Sequence, residues 1–306
     1  MARLDETASG VFTIAVTPFL PDGALDLDSI DRMVDFYVEK GASGLTILGI
    51  MGEAGKLSFE ESATVIRRVV ARTALPVVVG VSAPGLAQIA SLAALAMDAG
   101  AAGVMVAPPW TLKTDGQIVS YYHDIAGALG ETPFVLQDFP LVTNVVVPVG
   151  AILQIVKDCP TCVMLKHEDW PGLDKITALR NASDAGARRI SILCGNGGLF
   201  LPEEMRRGAD GAMTGFAYPE MMAQVVAAHE AGESDRAHDL FDAYLPIVRY
   251  ESQPGLGLAV RKHILAARGA IAHDTVRKPG NPLSAASLAD LALLTGRLDR
   301  RLAELG

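Results

Sequence analysis

The chain has few cysteines, no excess of positive charge and no long apolar run, and each absence excludes a class of protein. Only 3 of its 306 residues are cysteine, too few for the disulfide framework of a small secreted domain. Cys159 and Cys162 form a CxxC pair. This pair follows a predicted helix and precedes a predicted strand, the reverse of a thioredoxin-like site. We therefore expect buried or strand-edge thiols rather than a redox centre.

The charge balance and the apolar pattern exclude two further classes. There are 26 lysines and arginines against 35 aspartates and glutamates, a formal net charge of −9, whereas nucleic-acid binding usually leaves a basic patch. Apolar runs such as Val104–Ala107 are too short to cross a bilayer, and residues 1–6 lack the apolar core of a signal peptide. We expect a cytoplasmic protein that binds neither nucleic acid nor a membrane.

Metal-binding motifs are also missing. The six histidines show no HExxH spacing, and one CxxC pair falls short of the four ligands of a structural zinc site. We predict neither a metal site nor a bound cofactor.

Short β-branched runs alternate with segments of helical periodicity along most of the chain. The predicted strands are Val11–Val16, Gly44–Leu48, Pro76–Val81, Gly103–Ala107, Pro133–Asp138, Cys162–Lys166, Ile190–Cys194 and Gly211–Thr214. Eight strands separated by helices predict a (β/α)8 TIM barrel. A doubly wound sheet is the alternative, but it would carry a glycine-rich phosphate turn after its first strand, and Thr17–Leu20 is not one.

Helices are predicted between the strands and after the last of them. They are Asp28–Lys40, Ser58–Arg72, Gly85–Asp98, Asp115–Leu129 and Pro148–Lys157, then Met221–Ala231, Ser234–Val248, Gly255–Arg268 and Ser284–Leu305. Asp28 and Ser58 are predicted N-caps, the latter in a capping box with Glu61. We predict a barrel over residues 1–228 and a C-terminal helical domain over residues 229–306.

Lys166 ends the sixth predicted strand and is the only amine among the residues at the carboxyl ends of the strands. Active sites of such barrels lie at these ends. Burial favours the neutral form of lysine and so makes its amine available to attack a carbonyl. The structural alternative is a surface lysine that happens to close a strand.

Three other strand ends carry candidate functional groups. The loops Gly49–Glu53 and Gly195–Gly198 could bind a carboxylate or phosphate through backbone N–H groups, or could simply be glycine-rich loops. Asp138 and Glu168 are candidate acid/base or orienting groups, with solvated carboxylates as the alternative.

Taken together, the strand ends resemble the dihydrodipicolinate synthase/N-acetylneuraminate lyase family of class I aldolases and lyases. The resemblance runs from Thr17-Pro18-Phe19 through Gly49…Gly52-Glu53 and Lys166 to Arg277-Lys278-Pro279. It implies a (β/α)8 barrel with a C-terminal helical extension, usually a homo-oligomer (tetramer or dimer). It also implies a Schiff base between Lys166 and the keto carbon of pyruvate or another 2-oxo acid.

The chain departs from the family pattern at the positions that recognise substrate. Ile50 and Met51 replace two hydroxyl residues, Gln137 replaces the proton-relay tyrosine, Val142 replaces an arginine and Trp110 matches a tyrosine lent across a subunit interface. These departures argue against a dihydrodipicolinate synthase. The strings Gln137–Pro140, Lys166-His167-Glu168 and Gly211–Gly215 are similar to the L-2-keto-3-deoxyarabonate dehydratase branch.

The resemblance implies a Schiff-base lyase, best read as a dehydratase of a 2-keto-3-deoxy sugar acid. The implied catalytic residues are Lys166, Gln137 and Glu168, and the implied substrate-binding residues are Ile50, Met51, Gly52, Trp110, Gly195 and Met213. A pyruvate-dependent aldolase, a catalytically silent 2-oxo-acid-binding protein and a phosphate-binding barrel enzyme that forms no covalent intermediate remain alternatives.

Overall fold

Eight parallel strands close into a barrel in chain order in the computed structural model, which describes residues 3–305. The strands are β1 (Gly10–Ile14), β2 (Gly44–Ile47), β3 (Val77–Gly80), β4 (Gly103–Val106), β5 (Phe134–Asp138), β6 (Cys162–His167), β7 (Ser191–Cys194) and β8 (Gly211–Ala212). β8 pairs with both β7 and β1, which closes the barrel. The predicted (β/α)8 TIM barrel is confirmed.

Twelve α-helices surround and extend this barrel within the described residues. They are α1 (Leu27–Glu39), α2 (Phe59–Arg72), α3 (Leu86–Asp98), α4 (Asp115–Leu129), α5 (Pro140–Thr143), α6 (Val149–Asp158), α7 (Leu173–Asp184), α8 (Leu201–Arg206), α9 (Pro219–Glu230), α10 (Ser234–Glu251), α11 (Gly257–Ala267) and α12 (Ala285–Leu305). Between residues 3 and 305, no helix is long and apolar enough to cross a membrane.

Local sequence signals set several helix ends. Ser58 and Glu61 form the predicted capping box of α2, because the serine and glutamate side chains each satisfy a backbone N–H that lacks a helical partner. The N-cap of α1 is Asp26 and not Asp28 as predicted, since the Asp26 carboxylate accepts the N–H of Ser29. Helices α5, α7 and α8 lie where no helix was predicted.

The apolar side chains form two layers. An inner cluster that includes Ile14, Met105 and Met213 fills the barrel, and a larger outer cluster packs the helices against the strands. Buried strands pack side chains on both faces, which explains why most of their residues are apolar. Cys159 and Cys162 are buried and form no disulfide.

The C-terminal helices α10, α11 and α12 pack onto the barrel through α9 and the ends of the strands. Residue 228, the predicted domain boundary, lies inside α9 (Pro219–Glu230), so the division into residues 1–228 and 229–306 stays a prediction. Two charged residues of α11, Arg261 and Lys262, are buried. Their partners lie in the barrel and at the end of α10, as described below.

Candidate active site

Lys166 lies at the carboxyl end of β6 with its side chain inside the barrel mouth, 3% exposed. Its Nζ atom is 2.9 Å from Oε2 of Glu168 and 6.0 Å from the ring centre of Phe139. Burial lowers the pKa of Lys166, Glu168 partly offsets this, and Arg261 lowers the pKa further. Such surroundings favour a neutral amine, the form that attacks a carbonyl carbon.

Gln137 faces Lys166 from the neighbouring strand, because β5 and β6 pair these two residues in register. Its Nε2 donates to Oε2 of Glu168 over 2.7 Å. The same carboxylate oxygen therefore contacts both the amide of Gln137 and the amine nitrogen of Lys166. The structure brings together the three residues that the sequence analysis proposes as catalytic.

Alternation along the strands decides which candidates reach this cluster. Side chains of a strand point in turn to opposite faces, so Gln137, Lys166 and Glu168 face the barrel interior while Asp138 and His167 face the helices. Asp138 binds Nζ of Lys175 over 2.7 Å, and burial raises its pKa to about 6. Asp138 is therefore not an acid/base group of this site, contrary to one of the sequence-based alternatives.

Gly195 makes room for Glu168 and does not line the cavity. A Cβ atom at residue 195 would lie 2.1 Å from Cγ of Glu168, so a side chain there would displace the carboxylate. Asn196 also holds this segment, because its Nδ2 donates to the backbone oxygen of Glu168 over 2.9 Å. Gly195 thus supports the position of Glu168, and its contact with substrate stays a prediction.

The loop at residues 195–198 has little capacity left for a phosphate group. The N–H of Gly197 donates to Oγ1 of Thr214 over 2.8 Å, and the N–H of Gly198 donates to the Gly195 oxygen over 2.9 Å. Phosphate-binding loops need such N–H groups to be free. The geometry thus weighs against the phosphate-binding alternative.

Ile50 and Met51 open a short 3-10 helix, Ile50–Gly52, and both line the cavity. The N–H of Gly52 already donates to the Gly49 oxygen over 3.0 Å, and its own oxygen accepts the hydroxyl of Thr17 over 2.6 Å. Within residues 3–305, the N–H groups of Ile50 and Met51 donate to no backbone oxygen. These two N–H groups, and not that of Gly52, could bind a carboxylate.

Trp110 and Met213 also lie outside the cavity wall. Trp110 is 68% exposed, and the ammonium of Lys113 lies over its ring, 5.7 Å from the centre. Met213 is buried in the inner cluster of the barrel. The match of Trp110 with an interface tyrosine stays a prediction, because a single chain is described.

Glu53 anchors the loop that contains Ile50 and Met51. Its carboxylate accepts Nζ of Lys262, Nζ of Lys56 over 2.8 Å and the N–H of Arg277 over 3.0 Å. Glu53 itself has a φ of 55°, a left-handed conformation that is unfavourable for a residue with a side chain. These contacts tie the loop to α11 and to the segment before α12.

The cavity above Lys166 has a volume of about 490 Å³, within the range of cavities that hold whole small-molecule ligands. Its walls include the apolar side chains of Ile50, Met51, Phe139 and Val142. Sequence reasoning missed other wall residues: Leu141, Trp170, Glu251 and Arg261. In the part of the chain that the structure describes, no group of three or more histidine, cysteine or acidic side chains could hold a metal ion.

A closed parallel barrel with a buried lysine and carboxylate at its mouth defines a barrel enzyme with its site at the strand ends. The sequence model of the Dihydrodipicolinate synthetase family matches residues 7–294. The chain therefore belongs to this family, and it is an enzyme of the lyase or aldolase type. The family assignment made from the sequence is confirmed.

Three relatives illustrate the range within the family. The chain is 27% identical to an L-2-keto-3-deoxyarabonate dehydratase of Azospirillum brasilense, covering 95% of this chain and 94% of that protein. It is 31% identical to a 4-hydroxy-tetrahydrodipicolinate synthase of Sorangium cellulosum, covering 96% and 97%. The crystal structure of a dihydrodipicolinate synthase from Rhodopseudomonas palustris superimposes with a TM-score of 0.96 at 52% identity, covering 97% of this chain and 100% of that one.

Proposed function

We propose that the protein is a Schiff-base-forming lyase of a 2-oxo acid and that it dehydrates a 2-keto-3-deoxy sugar acid. The observation that carries the proposal is the buried Lys166, whose Nζ lies 2.9 Å from Oε2 of Glu168. The similarity to an L-2-keto-3-deoxyarabonate dehydratase over nearly the whole chain supports the choice of reaction.

The first stage joins substrate to lysine. Glu168 accepts a proton from the Lys166 ammonium, and the neutral amine then attacks the C2 ketone of the substrate. The resulting carbinolamine loses its hydroxyl as water, with the proton supplied by Glu168, and an iminium remains. The N–H groups of Ile50 and Met51 hold the substrate carboxylate during these steps.

The second stage removes water from the sugar acid. The iminium acts as an electron sink while Glu168 takes the C3 proton, which leaves an enamine. The enamine expels the C4 hydroxyl, Glu168 returns its proton to that group, and water departs. Hydrolysis of the new iminium releases an α,β-unsaturated 2-oxo acid and regenerates the amine of Lys166.

Gln137 and the apolar walls support this chemistry without exchanging protons. The amide of Gln137 donates to Glu168 over 2.7 Å and so fixes the carboxylate near the reacting atoms. Ile50, Met51 and Phe139 line the cavity and keep it dry, which favours the neutral amine.

Borohydride trapping tests the covalent step. We expect reduction in the presence of pyruvate or a 2-keto-3-deoxy acid to add the mass of the reduced acid to Lys166. Lys166→Ala would abolish the adduct, and Lys113→Ala, which removes an exposed lysine of the β4–α4 loop, would keep it. Absence of an adduct on Lys166 with every 2-oxo acid would overturn the proposal.

A second candidate function is an aldol-type condensation of pyruvate with an aldehyde. The 52% identity to a protein described as a dihydrodipicolinate synthase favours it, and the same enamine would attack the aldehyde carbon. Product analysis separates the two: the dehydratase converts a 2-keto-3-deoxy acid alone, whereas the aldolase consumes pyruvate only when an aldehyde is present. An adduct without turnover of either kind would indicate the silent binding protein.

Two further features stay predictions, namely the cytoplasmic location and the homo-oligomer of four or two chains. Neither alters the chemistry above, because Lys166, Gln137 and Glu168 all come from one chain.

A further inference from the structure

A second buried ion pair faces the cavity from the C-terminal helices. Glu251 ends α10 and Arg261 lies on α11, and each is 5% exposed. Nε of Arg261 donates to Oε1 of Glu251 over 2.6 Å, and Nη2 donates to the oxygen of Gly215. The other carboxylate oxygen accepts the N–H of Ala217 over 3.1 Å. The guanidinium is thus fixed at the end of the eighth strand.

One nitrogen of this fixed guanidinium has no partner. Among residues 3–305, no acceptor is bonded to Nη1 of Arg261, although this atom is buried. A buried charged donor without an acceptor costs free energy, and native proteins leave few such groups without a functional reason or a bound partner. An acceptor that reached Nη1 from the cavity would remove this cost.

The position of Nη1 relates it to the substrate cavity. Gly215 lines the cavity beside Ile14 and Thr214, and Arg261 lines it as well. A Cβ atom at residue 215 would lie 1.9 Å from Nη1. The glycine therefore allows the guanidinium to lie directly against the wall of the cavity that contains Lys166.

We propose that Arg261 determines specificity by binding an acidic group at the far end of the substrate. The substrate would then be a dicarboxylic 2-keto-3-deoxy sugar acid rather than one ending in a hydroxymethyl group. This inference rests on the proposed function and adds the substrate class to it.

Three physical arguments favour an anion at this place. Arginine offers donors and no acceptor, and its hydrogen bonds to carboxylates are stronger than those to neutral groups. The surrounding wall is largely apolar, so water screens the charge weakly. The cavity of about 490 Å³ leaves space beyond a three-carbon acid bound at Lys166. The first carboxylate would lie at Ile50 and Met51, after β2, whereas Arg261 lies at the residues that follow β8.

Titration calorimetry in the Lys166→Ala background tests this inference independently of turnover. The two probes are a 2-keto-3-deoxy aldonic acid with one carboxylate and the corresponding aldaric acid with two. We expect the aldaric acid to bind more tightly by on the order of tenfold to a hundredfold, the usual effect of a charge-assisted hydrogen bond. Adding Arg261→Met should remove this preference.

Two further variants make the test decisive. Arg261→Met leaves a buried glutamate unpaired, so Glu251→Gln/Arg261→Met removes both charges and keeps an acceptor for the N–H of Ala217. Arg268→Met is the matched control, because Arg268 follows the same helix and pairs with Glu220 outside the cavity wall. We expect the double variant to bind the two acids equally and the control to keep the preference.

The possible outcomes separate this inference from the proposed function. Equal binding of the two acids before Arg261 is changed, or a preference that survives the double variant, would overturn the inference. A borohydride adduct between pyruvate and Lys166 in the unmodified chain tests the lyase proposal alone. A negative calorimetric result would therefore overturn the role of Arg261 alone, and a negative trapping result would overturn the lyase proposal.

Discussion

Replacing Glu168 by glutamine keeps the size of the side chain and removes the charge beside Lys166. In residues 3–305, Glu168 is the carboxylate paired with the Lys166 ammonium, at 2.9 Å, and both side chains are about 5% exposed or less. At that separation and an effective dielectric constant of about 20, two unit charges attract by about 6 kcal/mol before the cost of desolvation. The change is therefore large enough to alter the protonation of the lysine.

Loss of the carboxylate shifts the pH dependence of the first stage and, by the proposed mechanism, slows both stages. Glu168 is a cause that raises the pKa of Lys166, so Glu168→Gln lowers that pKa further below its usual value. A larger fraction of the amine is then neutral at a given pH, and the acid limb of adduct formation moves to lower pH. Turnover falls by about a hundredfold to ten-thousandfold, the usual contribution of a general base, because no carboxylate remains to take the C3 proton.

The assay compares borohydride trapping with turnover of a 2-keto-3-deoxy acid between pH 5 and 9. Glu131→Gln, which alters an exposed glutamate far from the cavity, is the control and should leave both curves unchanged. Wild-type turnover by Glu168→Gln would refute the role of this carboxylate as the base. A shift of the trapping curve to higher pH would refute the electrostatic reasoning.

Two other predictions concern groups that support the site and the fold. Gly195→Ala should lower turnover by about tenfold or more, since the added methyl group would lie 2.1 Å from Cγ of Glu168. Gly116→Ala is the kinetic control, because residue 116 lies in open space on α4. Equal turnover by the two variants would contradict the packing argument. Burial raises the pKa of Glu204 from its ordinary value of 4.5 to about 8. Between these values the unfolded chain releases a proton that the folded chain keeps, so stability falls as the pH rises, by up to about 1.4 kcal/mol per unit. Glu204→Gln should therefore raise the melting temperature at pH 8 much more than at pH 5, and a pH-independent difference would contradict this.

The barrel was predictable because its signal is local and repeated. Most strands are short, largely apolar runs, and eight of them that alternate with helices predict a closed barrel. The exact start of a helix is harder to predict than the helix itself. Asp26 and Asp28 are both suitable N-caps, and only the hydrogen bond from the N–H of Ser29 to Asp26 shows which one is used. Helices α7 and α8 were missed because α7 is polar and α8 spans only Leu201–Arg206.

The innermost part of the site was predictable for the same local reason. Strand alternation places Lys166 and Glu168 on one face. The register of β5 against β6, which shifts between Phe134 and Val135, sets Gln137 beside Lys166 and is not given by strand alternation. The proposed contribution of Arg261 could not be read from the sequence. It depends on how α11 docks on Gly215, a contact across 46 residues of chain that no periodicity encodes.

The replacement of the family's tyrosine by Gln137 is best explained together with the presence of Glu168. A glutamine at residue 137 cannot exchange protons at neutral pH, but its amide can orient a neighbour by a hydrogen bond. The neighbour it orients is Glu168, through the same oxygen that contacts Lys166. Gly195 completes the arrangement, because only a residue without a side chain leaves space for that carboxylate. Under the proposed function, the single carboxylate of Glu168 then handles every proton of the reaction.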